Sequence, residues 1–224
     1  MQWVRRAING GVSFLLPPVC AVCECRLQTL QPLGVCPLCW QRLPRLNPAD
    51  EPALDEMLSH AAFGHYFAPF VYAQEVIPLI AQLKYYQAPQ MALPLAQFMA
   101  RAIPNLPDYD TVVPVPLDRR RLFSRGYNQA AELARLIAQA GGVAFDPLSL
   151  KRTKKAGRQV GRSRSARMRA VQGAFVADAR IQGQSVLLVD DVLTTGSTAH
   201  ACAKALLAAG AKRVDVVSAA WVRP

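Results

Sequence analysis

Apolar residues along this chain fall into two kinds of run. Val186–Val189 is a short continuous apolar run rich in β-branched residues, the pattern of a strand buried on both faces in a parallel sheet. Thr111–Val113 and Val214–Ala220 read the same way, and Gly173–Val176 starts a further strand. Between these runs the spacing becomes helical. Val76, Ile77, Ile80 and Leu83 predict a helix over 74–86, with Pro78 confined to its first turn. A second helix is predicted over 91–103. A third carries Ala130, Leu133, Ala134, Leu136 and Ile137 and ends at Gly141-Gly142, and a fourth runs from Ala199 to Ala209 and ends at Gly210. Residues 59–72 mix small and aromatic side chains and read as two strands of a hairpin. Strand and helix patterns in alternation predict an α/β fold with a doubly wound, mostly parallel sheet. Right-handed crossovers would bring the ends of strands 110–116 and 186–189 to one edge.

The first fifty residues do not share this pattern. Five of the six cysteines lie between Cys20 and Cys39. Cys20-x2-Cys23 and Cys36-x2-Cys39 are spaced to close a tetrahedral four-sulfur site, for which Zn²⁺ is the best-matched ion. Four cysteines leave no open position, so the zinc would be structural, stapling a module with few apolar residues of its own. Cys25 is an extra thiol beside the first pair, and a disulfide scaffold is the competing reading. Cys202, in an Ala-rich helix, reads as a small buried residue. The Pro- and acid-rich stretch 44–55 reads as a linker. The division is therefore a module over 1–46 and a larger domain over 56–224.

Candidate chemistry concentrates just after the Val186–Val189 strand. Asp190 and Asp191 are followed by Val192, Leu193 and the hydroxyl-rich turn Thr194-Thr195-Gly196-Ser197-Thr198, then by a helix. Backbone N–H groups and hydroxyls at a helix N-terminus favour an anion. A plain N-cap with a tight turn is the bland alternative. Adjacent carboxylates at a strand end suit a ribose diol or hydrated Mg²⁺ better than a cap. Neither GxxxxGK[ST] nor GxGxxG is present. A second dense stretch, Arg119-Arg120-Arg121-Leu122-Phe123-Ser124-Arg125-Gly126-Tyr127-Asn128, reads as a positive loop beside the 110–116 strand, with Gly126 allowing backbone close to a ligand.

VLLVDDVLTTGST over 186–198 resembles the phosphoribosyl-diphosphate (PRPP) motif of type I phosphoribosyltransferases. PVPL and RGYNQA, over 114–117 and 125–130, together with the four cysteines, extend the resemblance to the ComF/GntX branch over nearly the whole chain. The resemblance implies a PRPP site with Mg²⁺ and transfer of a 5-phosphoribosyl group to an unidentified acceptor, with release of pyrophosphate. Asp190 and Asp191 would face the ribose hydroxyls, and Thr194–Thr198 would cradle the 5′-phosphate. The pyrophosphate loop and hood would draw on Val115, Arg125, Gly126, Asn128, Gln159 and Arg167. The hood asparagine expected from the family is Ala170 here. The branch also implies a non-catalytic alternative: an accessory protein in DNA uptake that binds single-stranded nucleic acid or a protein partner. Type I relatives are commonly dimeric, so a homodimer is a further implication.

Composition narrows the partners. Of 224 residues, 52% are hydrophobic and 18% charged, the balance of a folded protein, while a formal charge of +11 calls for anionic partners. From Lys151 to Arg169 there are nine Lys/Arg and no Asp or Glu. That run reads as a catalytic hood, a nucleic-acid patch or a plain basic surface. Residues 12–16 are too short an apolar patch for a secretory signal, and no run reaches the length of a membrane span, so the expected location is the cytoplasm. Lys84 reads either as a solvated helix-end charge or as a functional residue. Trp221, just past the last strand, could stack on a nucleobase or pack at the chain end.

Overall fold

The computed structural model describes residues 19–27, 34–47, 50–85, 91–153 and 173–223. The N-terminal segment 1–18 and most of the basic stretch, including Gln159, Arg167 and Ala170, lie outside the described residues. In chain order the helices are α1 (Pro37–Arg42), α2 (Glu51–Leu58), α3 (Ile77–Tyr85), α4 (Ala92–Arg101), α5 (Arg119–Arg125), α6 (Gln129–Gly141) and α7 (Ser197–Ala208). The strands are β1 (Tyr66–Phe67), β2 (Phe70–Val71), β3 (Thr111–Pro114), β4 (Ala144–Phe145), β5 (Leu150–Arg152), β6 (Phe175–Ala177), β7 (Ser185–Leu193) and β8 (Arg213–Trp221).

The expected doubly wound sheet is present. Its order is β1-β8-β7-β3-β4, with β2 also on β8, and every pairing in it is parallel. The period-2 alternation of β7 feeds a core on each face. Leu187 and Val189 join Leu133, Ile137, Leu95 and Met99, which come from α6 and α4. Val186 and Leu188 join Ala199, Cys202, Ala203 and Leu206 of α7 on the other face. A strand buried on both sides needs a continuous apolar sequence, and 186–189 supplies it.

Three sequence readings are corrected. Residues 59–72 do not form a hairpin: β1 and β2 both run parallel to β8, pairing Tyr66 with Val216 and Phe70 with Ala220. The offset is the same at both ends, so they are one edge strand interrupted at Ala68-Pro69, where proline has no N–H for the ladder. The stretch 44–55, expected as a linker, packs on the larger domain at its described residues. The Val71 N–H donates to the Pro44 carbonyl, and Arg45 bridges to Phe70. The Asp50 carboxylate takes the Arg223 guanidinium at 2.6 and 3.1 Å, and α2 begins directly after it with Pro52 in its first turn. The arginine-rich stretch is not a loop either; Arg119–Arg125 is the short helix α5, capped by the Asp118 carboxylate on the Arg120 N–H.

Smaller differences follow from packing. In α3 the buried positions are Leu79, Ile80 and Leu83, while Ile77 is exposed. Trp221 belongs to β8 and is 1% exposed, which removes it as a stacking surface. β7 continues through the acidic pair to Leu193, opposite Trp221. β5 and β6 form a separate antiparallel ribbon flanking the basic stretch. No helix among the described residues is long and apolar enough to cross a membrane.

Candidate functional site

The site is built where β7, β3, α3 and α7 converge. β3 and β7 are in register up to Pro114 opposite Val189, and the Val115 N–H continues the ladder to the Val189 carbonyl at 2.8 Å. The backbone leaving β3 therefore lies beside the start of the acidic pair. Asn128 fixes its far end, donating Nδ2 to the Val115 carbonyl at 3.0 Å while its Oδ1 caps α6 on the Ala130 N–H. Gly126 closes α5 in a left-handed conformation (φ 76°), and Arg125 donates to Gln129 Oε1 at 3.1 Å. The Tyr127 hydroxyl donates to the Leu83 carbonyl and ties this segment to the end of α3.

That tie sets Lys84, the next residue. Its Nζ lies 3.2 Å from Asp191 Oδ2, and both side chains are largely buried. Asp190 accepts the Asp191 N–H at 2.8 Å. Burial, with the neighbouring Asp191 carboxylate adding to it, raises the Asp190 carboxyl above the ordinary carboxylate range. The pair is thus held from two sides, Asp190 by the Asp191 N–H and Asp191 by the Lys84 side chain. Below it the Tyr66 hydroxyl and Ser218 Oγ are 2.7 Å apart, and burial pushes the tyrosine up so that it stays neutral.

The hydroxyl turn follows directly. Gly196 is the N-cap of α7 at φ 71°, and no side chain caps the helix. The Thr195 and Ser197 hydroxyls instead meet each other at 2.8 Å. The bland reading of this cluster as an N-cap thus fails in its usual form, since the N-cap is a glycine and, among the described residues, the first N–H groups of this twelve-residue helix meet no side-chain acceptor. Thr194 is exposed and Thr198 half-buried at the same turn. Met57, His60, Phe63 and His200 line a small cavity behind it. Hydroxyls, helix N–H groups and paired carboxylates together suit a phosphorylated sugar with vicinal hydroxyls. They also fit Mg²⁺, which keeps most of its waters and asks for only one or two carboxylates plus substrate phosphates.

The expected residues Val115, Arg125, Gly126, Asn128 and Asp190 to Thr198 fall within these adjoining segments. Sequence reasoning gave Lys84 little weight and did not single out Tyr127 or Tyr66. The one local signal for them was the Leu83-Lys84 ending of α3; its pairing with Asp191 spans the whole fold.

The cysteine cluster is separate. The sulfurs of Cys20, Cys23, Cys36 and Cys39 all lie within 4.8 Å of one another, and Cys23 and Cys36 are 3.8 Å apart. A Zn–S bond of about 2.3 Å gives a tetrahedral edge of about 3.8 Å, so the set fits zinc. Backbone N–H groups already point at the sulfurs: Cys36 N at Cys20 Sγ (3.3 Å) and Cys39 N at Cys36 Sγ (3.4 Å). Burial opposes ionisation of Cys20, but the N–H groups of Cys23, Cys36 and Val22 lower it to about 6, whereas burial and its neighbours raise Cys39. A divalent cation at the centre would favour all four thiolates at once. All six cysteines are free thiols, and Cys25 lies outside the four-sulfur set.

Residues 89–220 match the phosphoribosyl transferase domain. The DNA utilization protein YhgH of Salmonella typhi is 32% identical over 204 residues, 88% of each chain. Competence protein F of Haemophilus influenzae is 30% identical over 169 residues, 74% of this chain and 72% of that one. Among solved structures, a glutamine PRPP amidotransferase from B. subtilis complexed with ADP and GMP is 22% identical, with a TM-score of 0.42 over 62% of this chain and 30% of its own.

Proposed function

This chain belongs to the phosphoribosyl transferase domain family, among the competence and DNA-utilization proteins, and from that premise we propose that it serves the handling of DNA through a pocket that binds PRPP. The relatives' names support the DNA role. The observation that carries the pocket is the uncapped N-terminus of α7 beside the Asp190–Asp191 pair, with Lys84 on Asp191. On this reading the α7 N–H groups and the hydroxyls of Thr194, Thr195, Ser197 and Thr198 hold the 5′-phosphate. Asp190 and Asp191 accept hydrogen bonds from the ribose hydroxyls. The backbone at Val115 and at Gly126 to Asn128 receives the diphosphate, and Arg125 adds positive charge there. Asp190 and Asp191 would hold Mg²⁺ bound with the substrate, and the ion would supply positive charge against the diphosphate.

Such a site supports phosphoribosyl transfer. A bond forms between the acceptor's nucleophile and C1′ while the C1′–O bond to pyrophosphate breaks, and pyrophosphate leaves with the electron pair. Positive charge developing at C1′ is offset by the departing diphosphate and the Asp191 side chain, so no covalent nucleophile is required. A pyrophosphate-release assay with PRPP, Mg²⁺ and a panel of nucleobases tests this step. Release that depends on the acceptor and falls at least a hundredfold in Asp191→Asn supports transfer. Absence of release with every acceptor, in protein that binds PRPP, would leave the pocket as a binding or regulatory site.

A further inference from the structure

The helix α5 is fully formed yet uncovered. Asp118 caps its start at 3.0 Å, the Gly126 N–H closes its end on the Leu122 carbonyl at 2.9 Å, and every residue from Arg119 to Ser124 is exposed. Phe123 is 93% exposed, the largest value among the exposed large hydrophobic residues. A phenylalanine so placed adds almost nothing to the core. Arg119, Arg120 and Arg121 form no ion pair among the described residues. The acidic groups nearest in sequence are engaged elsewhere: Asp118 in the cap and Glu132 with Arg135 at 2.6 Å. Residues three and four apart share a helix face, so Arg119 and Arg120 lie on the side of α5 that carries Phe123. α5 also begins five residues after β3 ends, on the edge where the acidic pair stands.

We propose that α5 is a platform for single-stranded nucleic acid, with an unpaired base stacked on Phe123 and the flanking phosphates held by Arg119 and Arg120. The occupant follows from charge and shape. A cluster of unpaired guanidinium groups on a chain of net charge +11 is complementary to a polyanion, and a bare aromatic ring among them offers a stacking face that a duplex, with its bases already stacked, cannot use. This inference rests on the DNA-handling reading above and gives it a surface distinct from the PRPP pocket.

The test is fluorescence anisotropy of a labelled oligothymidylate, with the full chain carrying its zinc, over a series of potassium chloride concentrations. The parent binds with a steep salt dependence. Phe123→Ala weakens binding about tenfold at every salt concentration and leaves the slope unchanged, because stacking releases no counterions. Phe123→Trp restores binding. Arg119→Gln/Arg120→Gln flattens the slope by about 1.4, two phosphate contacts on a single strand. All variants keep the parent's thermal midpoint, and Phe123→Ala keeps its PRPP binding. A parent that does not bind the strand overturns both this inference and the nucleic-acid reading. A parent that binds while Phe123→Ala binds equally well overturns the platform alone. A duplex of the same length binding as tightly as the single strand, or Phe123→Ala converting a dimer to a monomer, also overturns it.

Discussion

Asp190 carries the cost of the site. Its carboxyl is buried against Asp191, so it holds a proton above the ordinary range. A carboxyl whose folded value is raised stabilises the fold fully below its unfolded value and loses that contribution as pH rises through the folded one. Asp190→Asn should therefore raise the thermal midpoint, by about 2–4 °C for each kcal/mol recovered, and the gain should grow from acid to mildly alkaline pH. Scanning calorimetry at several pH values checks this; a gain confined to acid pH would contradict it. Two adjacent acids after an apolar strand were legible as a site from sequence. The raised Asp190 carboxyl was not, because it depends first on burial, which tertiary packing rather than local pattern decides. Gly196 is the other residue with a specific demand. At φ 71° an alanine is strained by about 1 kcal/mol, and its Cβ would stand 3.7 Å from Met57 Sδ, an ordinary contact. Gly196→Ala should lower stability by about that amount and weaken phosphate-ligand binding more than its stability loss explains, measured by parallel melting and calorimetric titration.

Among the elements, the strands were legible where burial on both faces forces a continuous apolar run, as in β7 and β8. β1 and β2 were misread as a hairpin because alternation specifies a strand but not its partner; only β8 shows that both lie parallel on one edge. α5 reads as a loop from its run of arginines before Gly126, yet Asp118 and Gly126 supply both its caps. The cysteine module was legible by spacing, while its attachment was not. In α1, Cys39 precedes Trp40, whose ring stacks on Phe98 of α4 with centroids 5.1 Å apart and tilts against Phe70 of β2 at 6.4 Å. The metal centre is thereby coupled to the sheet through a single residue step. Chelation of zinc should shift Trp40 emission to the red and lower the thermal midpoint, and a Trp40→Phe variant should lose the spectral change while keeping the melting change. An unchanged midpoint after complete chelation would contradict a stapling role.

At the scale of the whole molecule, the module, Phe67 and Phe70 of the β1–β2 edge and α4 share one hydrophobic cluster, and Tyr66, α7 and the ribbon β5–β6 belong to the other. The sheet between them carries the acidic pair and the uncapped helix to one edge, with α5 starting from that same edge. On the proposed reading, the fold sets a phosphate pocket and a basic, aromatic surface side by side. The charge excess was legible in composition, but its distribution was not: only the structure shows Arg119 to Arg121 exposed on α5. The most direct test of the account is calorimetric titration of the zinc-loaded protein with PRPP in the presence of Mg²⁺, beside an Asp190→Asn/Asp191→Asn variant that melts no lower than the parent. The account predicts saturable binding by the parent and none by the variant. A folded parent that takes up no PRPP, or a variant that binds it as tightly, would contradict the pocket on which the account rests.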